Sequence, residues 1–577
     1  MTLDQAIVMA ALAVLVALLI RGRHAPAAVF AGVAFLFILL GHITIEGALK
    51  QFANTGLVTV VVLLLLSVVL DKSRLLETAA DSLVKGPYRW ALAKLYLATA
   101  LYSAFLNNTA VVASLMGPLR GNKHHAASRL LIPMCFAASL GGILTLVGTS
   151  TNLLVNSFLV GRGMPGLKMF DLLPVGALLL AGGGILMVLL YPRLLKERAA
   201  ADDSVRDYFV EASVKPDSVL VGRSVEQNGL RNLGHLFLSE IVRGERLVAP
   251  VEPGEVLQAD DVLVFAGDVT RLDLLTQFNG LQMLGHHDDL PLDNLVEVVV
   301  SAQSVVARRT VRDLDFRSQF DAAVVAVRRG RDRLGGSIGN IRVEVGDTLV
   351  LVVGPDFEKR NNLARNFVIV SRRSLQKFVD PRKAWASMAG FVAVIALSAF
   401  GVLDFLKGLL VLLAAFMALG LARWPELRRN MPYEIIVIIG AALIISEVMI
   451  STGTAKLLAA VMLGSATHWG PHAALALILL VTWILTELMS NNAAAALAFP
   501  VAIGVAEQLG LAPLPFVMAV LYGASCSFVT PYGYQTNLMV MSPGRYTLGD
   551  FVRTGLPLSL VFMAICLVAI PVFFPFK

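Results

Sequence analysis

The chain has 577 residues, of which 56% are hydrophobic and 15% are charged. Its mean hydropathy is +0.73, whereas soluble domains average about 45–50% apolar and about 25% charged residues. The formal charge of +7 requires no nucleic acid as partner, because lipid topology explains basic loops in a membrane protein. These values exclude an ordinary soluble domain and predict an α-helical polytopic membrane protein.

Apolar runs predict the membrane helices in chain order. The first half has runs at 4–20, 25–41, 54–70, 90–118, 130–160 and 172–192, and the second half has runs at 385–402, 405–422, 433–450, 472–503, 513–541 and 555–575. The first run lacks a small-residue cleavage site, so it is interpreted as a retained span rather than a signal peptide. Residues 197–380 lack such runs and carry charge and alternating apolar residues, which predicts a soluble insert.

The runs 90–118 and 472–503 are too long for one upright span and too short for two. Both carry polar residues in the middle, so each is predicted to be a re-entrant hairpin, the alternative being one long tilted helix. With hairpins, basic loops collect on one side, which is the positive-inside pattern. Basic residues on that side include Arg21, Arg23, Lys72, Arg74, Arg120, Arg129, Arg193, Lys196, Arg382 and Arg429. We therefore expect a multi-pass protein of the inner (plasma) membrane, with a cytoplasmic insert and both termini outside.

The two halves carry similar motifs in the same order. "FLNNTAVVASLMGP" (105–118) is echoed by "LMSNNAAAALAFP" (488–500), and "GTSTNLLV" (148–155) is echoed by "TPYGYQTNLMV" (530–540). Each half, 1–196 and 381–577, is predicted to hold five transmembrane helices plus one hairpin. Because five crossings are an odd number, the second copy would be inverted relative to the first. Inverted repeats with interrupted helices (predicted here at about 130–160 and 513–541) are the architecture of secondary transporters.

Asparagine and threonine at the hairpin tips indicate ion sites. Broken helices persist in lipid only where they line a cavity or bind something. Half-helix amino ends attract anions and carbonyl ends attract cations, while neutral side chains avoid the cost of a fixed charge in lipid. The alternative is that these residues satisfy a helix turn or hold helices together.

At these motifs the chain resembles the divalent-anion:sodium symporter family of the ion-transporter superfamily. That family carries a Ser-Asn-Thr triplet at each hairpin tip, where this chain has Asn107-Asn108-Thr109 and Ser490-Asn491-Asn492. The stretch "TPYGYQTNLMV…PGRY…DF…GLPL" (530–558) is most similar to the sulfate-permease branch. The resemblance implies a homodimeric, elevator-type, sodium-coupled symporter of a small divalent oxyanion, with sulfate favoured.

The family's ligands can be placed residue by residue. For one sodium the resemblance implies Ser103, Asn107, Asn108 and Gly148, and for a second it implies Thr486, Asn491 and the carbonyls of Met489 and Val529. For the anion it implies Asn108, Thr109, Thr149, Ser150, Asn491, Asn492, Thr530 and Pro531. Sodium is the only expected cofactor, with no organic group and no catalytic residue, and the lipid bilayer is the remaining partner.

The insert is itself duplicated. "VGRSVEQNGLRNLGHLFLSEIVRGERL…QADDVLVFAG" (221–267) parallels "ARRTVRDLDFRSQFDAAVVAVRRGRDRL…EVGDTLVLVVG" (307–354). The two parts, 204–285 and 290–372, resemble TrkA-C (RCK-C) modules, which are small α/β domains that bind regulators or pair into dimers. No GxGxxG follows a strand there, so a dinucleotide is not expected. A small-molecule regulator and a purely dimerising role both stay open.

Other functions compete with sodium-coupled sulfate uptake. The same fold could carry C4-dicarboxylates or exchange anions, and an RCK-regulated channel is a further alternative. No Ser/His/Asp constellation or HExxH motif supports a membrane enzyme. Glu487 lies inside an apolar helix just before the second tip, where it is read either as a protonation site or as a buried partner of another group.

Overall fold

The fold was analysed in a computed structural model of the chain. It describes residues 2–21, 24–70, 80, 82–198, 209–230, 233, 236–244, 246–248, 251–267, 275, 278–283, 295–301, 304–314, 316–330, 332–334, 338–354, 356–357, 360, 362–369, 381–464 and 470–577. The predicted module boundaries at 204, 285, 290 and 372, and the basic residues Arg23, Lys72 and Arg74, lie outside these residues.

Helices build the first membrane half. They are α1 (Leu3–Arg21), α2 (Pro26–Leu39), α3 (Ile45–Phe52), α4 (Thr55–Leu70), α5 (Tyr88–Ser103), α6 (Asn108–Arg120), α7 (Ala127–Gly142), α8 (Ser150–Gly161) and α9 (Leu173–Leu194). The short helix α3 starts at Thr44, whose hydroxyl accepts a hydrogen bond from Gly47 N at 3.0 Å. The apolar runs of the sequence predicted no separate helix at residues 45–52.

The insert contributes ten strands and two short helices among the described residues. The first part holds β1 (Phe209–Val214), β2 (Leu236–Arg243), β3 (Arg246–Val248), β4 (Val262–Gly267) and β5 (Leu281–Met283). The second part holds β6 (Leu295–Val300), α10 (Phe316–Phe320), β7 (Ala322–Arg329), β8 (Asp332–Arg333), β9 (Thr348–Val353), α11 (Leu363–Asn366) and β10 (Phe367–Ile369).

Helices also build the second membrane half. They are α12 (Pro381–Ala399), α13 (Phe405–Ala418), α14 (Trp424–Arg429), α15 (Tyr433–Ser451), α16 (Thr454–Leu463), α17 (Pro471–Leu488), α18 (Asn491–Leu509), α19 (Leu514–Ser525), α20 (Gln535–Met541) and α21 (Leu548–Phe573). Thr547 and Asp550 form a capping box that starts α21. Helices α14 and α16 had not been expected from the apolar runs.

Seven helices of the described chain are long and apolar enough to cross a membrane. They are Leu3–Arg21, Ile45–Leu70 (α3 and α4 taken together), Leu173–Leu194, Tyr433–Ser451, Pro471–Leu488, Asn491–Leu509 and Leu548–Phe573. Together with five shorter apolar helices, they make a polytopic helical fold, which confirms that class of protein. One large apolar core runs through both halves, in which α2 packs against α15 and α4 against α13.

The two sheets of the insert have the same topology. Read in the same direction, their strand orders are β3-β2-β4-β1-β5 and β8-β7-β9-β6-β10, and every pairing is antiparallel. Both contain the same ion pair, between an arginine at the end of one strand and an aspartate directly before the neighbouring strand of the sheet. Arg243 Nε lies 2.8 Å from Asp261 Oδ1, and Arg329 Nε lies 2.8 Å from Asp347 Oδ1. The duplication read from the sequence is thus visible in matching geometry.

The second sheet of the insert lies against helices of both membrane halves. Arg120 at the end of α6 forms an ion pair with Glu297 on β6, whose side chain is only 8% exposed. Thr348 Oγ1 of β9 lies 2.8 Å from Ser542 Oγ, just beyond α20. Gly346 approaches the same segment so closely that a Cβ there would lie 3.0 Å from the Leu538 carbonyl oxygen.

Candidate functional site

The first polar tip joins α5 and α6. Helix α5 ends at Ser103, and Asn107 caps α6 by accepting a hydrogen bond from Thr109 N at 3.0 Å. The chain then returns to the level where α5 began, because Tyr88 OH donates to Arg129 O at 2.8 Å and His125 Nε2 lies 3.0 Å from Gly86 O. Segment 90–118 is therefore bent at its asparagines.

The second polar tip joins α17 and α18. Ser490 caps α18 by accepting from Ala493 N at 3.4 Å. Both outer ends of this helix pair meet the C-terminus, since the ring of His472 contacts Phe576 and Ala512 N donates to Phe576 O. The helices have 18 and 19 residues, so the segment is longer than the run 472–503 suggested. Each arm is long enough to cross a bilayer. Whether the two arms form a re-entrant hairpin or a pair of full crossings, the chain returns to the side from which it entered.

Two interrupted helices face these tips, and one asparagine braces each break. Asn152 Nδ2 donates to Gly142 O at 3.0 Å and to Thr145 O at 2.8 Å. Asn537 Nδ2 donates to Ser527 O at 2.9 Å and to Thr530 O at 3.2 Å. These bonds satisfy carbonyl groups that the interrupted helix leaves without a partner.

A cluster of oxygens surrounds the Asn108 amide, which we call the first oxygen cluster. Asn108 Oδ1 lies 2.6 Å from Ser103 Oγ. The same amide atom lies 3.2 Å from Gly148 O and 3.3 Å from Ala138 O. With the amide reversed, its nitrogen donates to all three of these oxygens. With the amide oxygen turned to them, a cation would be needed to hold the four oxygens together. Glycine is needed at 148, where a Cβ would lie 2.5 Å from Gly142 O.

A second oxygen cluster surrounds the Asn491 amide in the same way. Asn491 Oδ1 lies 2.8 Å from Thr486 Oγ1. The same atom lies 3.2 Å from Gly533 O, 3.2 Å from Ser527 Oγ and 3.3 Å from Ala524 O. Thus a hydroxyl one turn before the tip, the tip asparagine and a carbonyl from the glycine in the break recur in both halves.

Three residues predicted for sodium have other contacts. The Asn107 side chain is occupied as the cap of α6. Met489 is the C-cap of α17, and its amide donates to Leu485 O. Val529 N donates to Glu487 Oε1 at 2.9 Å. The amide bonds of Met489 and Val529 do not involve their carbonyl groups, so both stay predictions as sodium ligands. The carbonyls of Ala524 and Gly533 also lie around Asn491.

Two of the residues predicted for the anion, Asn492 and Ser150, meet between the two halves. Asn492 Oδ1 lies 3.3 Å from Ser150 Oγ and 3.1 Å from Thr151 Oγ1. Thr149 is the N-cap of α8, and its side chain makes no capping bond. Thr530 lies in the opposite break, where its Oγ1 donates to Glu487 O at 3.0 Å. Thr109 and Pro531 occupy the first turn of α6 and the second break, so all the predicted positions lie on helix starts or breaks.

Glu487 also belongs to the second break. Its carboxylate accepts from Phe528 N at 3.1 Å, from Val529 N at 2.9 Å and from Thr530 N at 2.8 Å. This half-buried carboxylate is therefore a partner of backbone N–H groups, which favours the second of its two interpretations. Among the described residues no group of His, Cys, Asp or Glu could hold a metal ion.

Tyr534 is the main site residue that sequence reasoning missed. It is the N-cap of α20, and its hydroxyl lies 2.9 Å from Asn108 Nδ2. Alignment of the breaks could have found it, because Tyr534 follows Gly533 as Thr149 follows Gly148. A cavity beside this region is lined by Asn107, Gly148, Thr149 and Ser150 on one side and by apolar residues of α4 on the other.

The apolar helices, the two bent tips and the paired breaks define a multi-pass membrane transport protein. Comparison with known proteins agrees: a citrate transporter family profile matches residues 14–520, and the chain belongs to that family of membrane anion transporters. It is thus grouped with transporters rather than enzymes.

Individual relatives extend the comparison. A Chlamydomonas reinhardtii protein named "Putative sulfur deprivation response regulator" is 33% identical over 91% of this chain and 94% of its own length. An uncharacterized transporter of Synechocystis is 30% identical over 92% of this chain and 90% of its own length. Sodium/sulfate cotransporter 1 of Chlamydomonas reinhardtii is 29% identical over 64% of this chain and 44% of its own length.

Proposed function

We propose that the protein is a secondary transporter that couples sodium entry to uptake of a small divalent oxyanion, with sulfate the favoured substrate. The observation that carries the proposal is the pair of oxygen clusters around Asn108 and Asn491 beside helix N-termini. Breaks of this kind supply carbonyls for sodium and half-helix amino ends for an anion in secondary transporters.

The cation half of the proposal depends on the chemistry of the clusters. Each cluster offers a hydroxyl, an amide oxygen and main-chain carbonyls, all of them neutral. Neutral oxygens can replace the hydration shell of a monovalent hard cation without a permanent buried charge, which would cost at least ~2.5 kcal/mol at membrane depth. We assign sodium to these clusters through Ser103, Asn108 and Gly148, and through Thr486, Asn491 and Gly533.

The anion half depends on four helix starts. Helices α6, α8, α18 and α20 all begin at the tips or breaks, and helix dipoles favour negative charge at amino ends. Asn492, Ser150 and Thr149 add neutral hydrogen-bonding groups between them. A cavity next to Thr149 lies between these groups and α4. The proposed anion lies between the helix starts, within reach of both oxygen clusters.

The proposed architecture is the inverted repeat expected from the sequence, with re-entrant hairpins, in a homodimer that works by an elevator-type movement. The matched hydrogen bonds of Asn152 and Asn537 support the repeat. We place the insert in the cytoplasm as two TrkA-C-like modules, regulatory or dimerising, of a plasma-membrane protein with both termini outside.

Relatives named sodium/sulfate cotransporters support sulfate and sodium. The family name favours a second candidate, a carboxylate substrate such as citrate or a C4-dicarboxylate. Labelled sulfate, succinate and citrate offered to proteoliposomes would separate the two candidates. Sulfate accumulation that needs an inward sodium gradient is the expected result, and sodium-independent uptake would refute the coupling.

Asn108→Ala and Asn491→Ala are expected to reduce sodium-driven uptake at least ~100-fold, because each removes the central ligand of one cluster and a charge-assisted bond is worth about 1.5–3 kcal/mol. Uptake by the purified, reconstituted variants is the measurement. The matched control is Asn430→Ala, since Asn430 is exposed and its amide bonds to Glu426 O in its own helix turn. Wild-type uptake by both site variants would remove the assignment.

A further inference from the structure

We infer that Tyr534 is a specificity-determining residue of the anion site. Its hydroxyl makes anion binding depend on whether the first oxygen cluster holds a cation. This inference rests on the proposed function. Tyr534 is not among the residues predicted to bind sodium or the anion. Its hydrogen-bond partner Asn108 belongs to the other half of the chain.

The position of Tyr534 makes the two halves of the site unlike. Thr149 and Tyr534 are the N-caps of α8 and α20, both with extended backbone and neither with a side-chain cap. One half therefore offers a small hydroxyl where the other offers a phenol, and the phenol also interacts with the Thr149 side chain. We expect a ring at this point to favour a compact anion over a longer one.

The polarity of the hydrogen bonds gives the reporting step. When Asn108 Oδ1 faces the first oxygen cluster, Asn108 Nδ2 donates to the Tyr534 oxygen at 2.9 Å. The phenol proton is then directed away from Asn108, towards the Thr149 side chain and the proposed anion beside it. When the amide is reversed, its nitrogen donates into the cluster and its oxygen accepts from Tyr534. The phenol proton is then used inside the protein.

A cation selects between these two states. It binds the amide oxygen and repels the amide nitrogen, so it holds Asn108 in the orientation that frees the phenol proton. The anion, by accepting that proton, favours the same orientation and hence the cation. Such coupling is reciprocal by thermodynamic necessity, so each ion raises the affinity for the other by the same factor.

The variant Tyr534→Phe removes the hydroxyl and keeps the ring. Thermal unfolding of the purified protein is measured with sulfate, thiosulfate, succinate and citrate, each in sodium and in choline. We expect wild-type protein to be stabilised by sulfate far more in sodium than in choline. In Tyr534→Phe the sulfate Kd in sodium should rise about 10- to 100-fold, as expected for a charged hydrogen bond. Stabilisation by sodium alone should persist.

Tyr532→Phe is the matched control, because Tyr532 lies two residues earlier and is 68% exposed. Tyr534→Thr supplies the residue of the other half, and we expect it to admit succinate or citrate. If no anion stabilises the wild type, the proposed function fails. If sulfate binds the wild type and Tyr534→Phe equally, with the same sodium dependence, the inference alone is overturned. Should Tyr534→Phe not fold, unchanged anion selectivity in Tyr534→Thr overturns it instead.

Discussion

Glu487 and Ala104 stand at equivalent places, each one residue after the hydroxyl of an oxygen cluster. Thr530 Oγ1 donates to the carbonyl of Glu487, and Thr145 Oγ1 donates to that of Ala104. The backbone contact is thus repeated, but only the second half adds a carboxylate. That carboxylate accepts from three consecutive N–H groups of the break. Its role is to hold the second break in shape, since unpaired N–H groups are costly at membrane depth.

Glu487→Gln is expected to lower the free energy of unfolding by about 1–3 kcal/mol, because an amide cannot replace a charged acceptor of several N–H groups. Sodium-driven uptake should fall with it, while the shape of its pH profile should be unchanged. Thermal unfolding and uptake between pH 5.5 and pH 8.5 are the measurements. Glu507→Gln is the control, because Glu507 is 38% exposed in its pairs with Arg162 and Lys456. Intact stability with a flattened pH profile would instead make Glu487 a proton carrier.

At the scale of elements, the polar residues within the apolar runs lie where helices end and start again. Asn108 and Asn491 lie at bends because their amides compete with the helix for backbone bonds. The carbonyl ligands were harder to predict: Ala138, Ala524 and Gly533 contribute main-chain oxygens, which any residue carries. Only the path of the break decides which oxygens face the amide, so the sequence did not point to Ala524 and Gly533, while the carbonyls of Met489 and Val529 stay predictions.

The braces of the breaks can be tested at this scale. Asn537→Ala removes two hydrogen bonds to carbonyls in the second break, and Asn152→Ala removes two in the first. Each variant is expected to lose about 1–3 kcal/mol of stability, since buried carbonyls are left without a partner. Thermal inactivation in detergent, with and without sodium, is the measurement.

Ser525→Ala is the control for the braces. Ser525 is buried in α19, but its hydroxyl donates to Leu521 O one turn earlier in the same helix. Its loss should cost little, because that carbonyl lies within the helical ladder. If Asn537→Ala and Asn152→Ala are as stable as Ser525→Ala and still bind sodium, the breaks do not depend on these amides.

At the scale of the whole molecule, the insert contacts the elements that build the site. The second sheet meets α6, the outgoing arm of the first tip, through Arg120 and Glu297. It also meets the segment after α20 through Thr348 and Ser542. Both contacts lie at the outer ends of helices whose inner ends form the site. A ligand or a second copy of the insert could therefore bias the tip and the break through rigid helices.

The Arg120–Glu297 pair tests this connection. Arg120→Glu and Glu297→Arg are each expected to destabilise the protein and to slow uptake, because a largely buried charge then faces a like charge. The double reversal should recover part of both properties, with a coupling energy of about 1–3 kcal/mol between the two sites. The same cycle on Arg129 and Glu197, where Glu197 is 67% exposed, should give at most about 1 kcal/mol. Thermal unfolding and uptake are measured for all variants.

If the single reversals unfold the insert at a lower temperature while uptake stays at the wild-type rate, the sheet is packed on the site-building helices without acting on them. A loss of uptake that the double reversal restores identifies this contact as the route from insert to transport site.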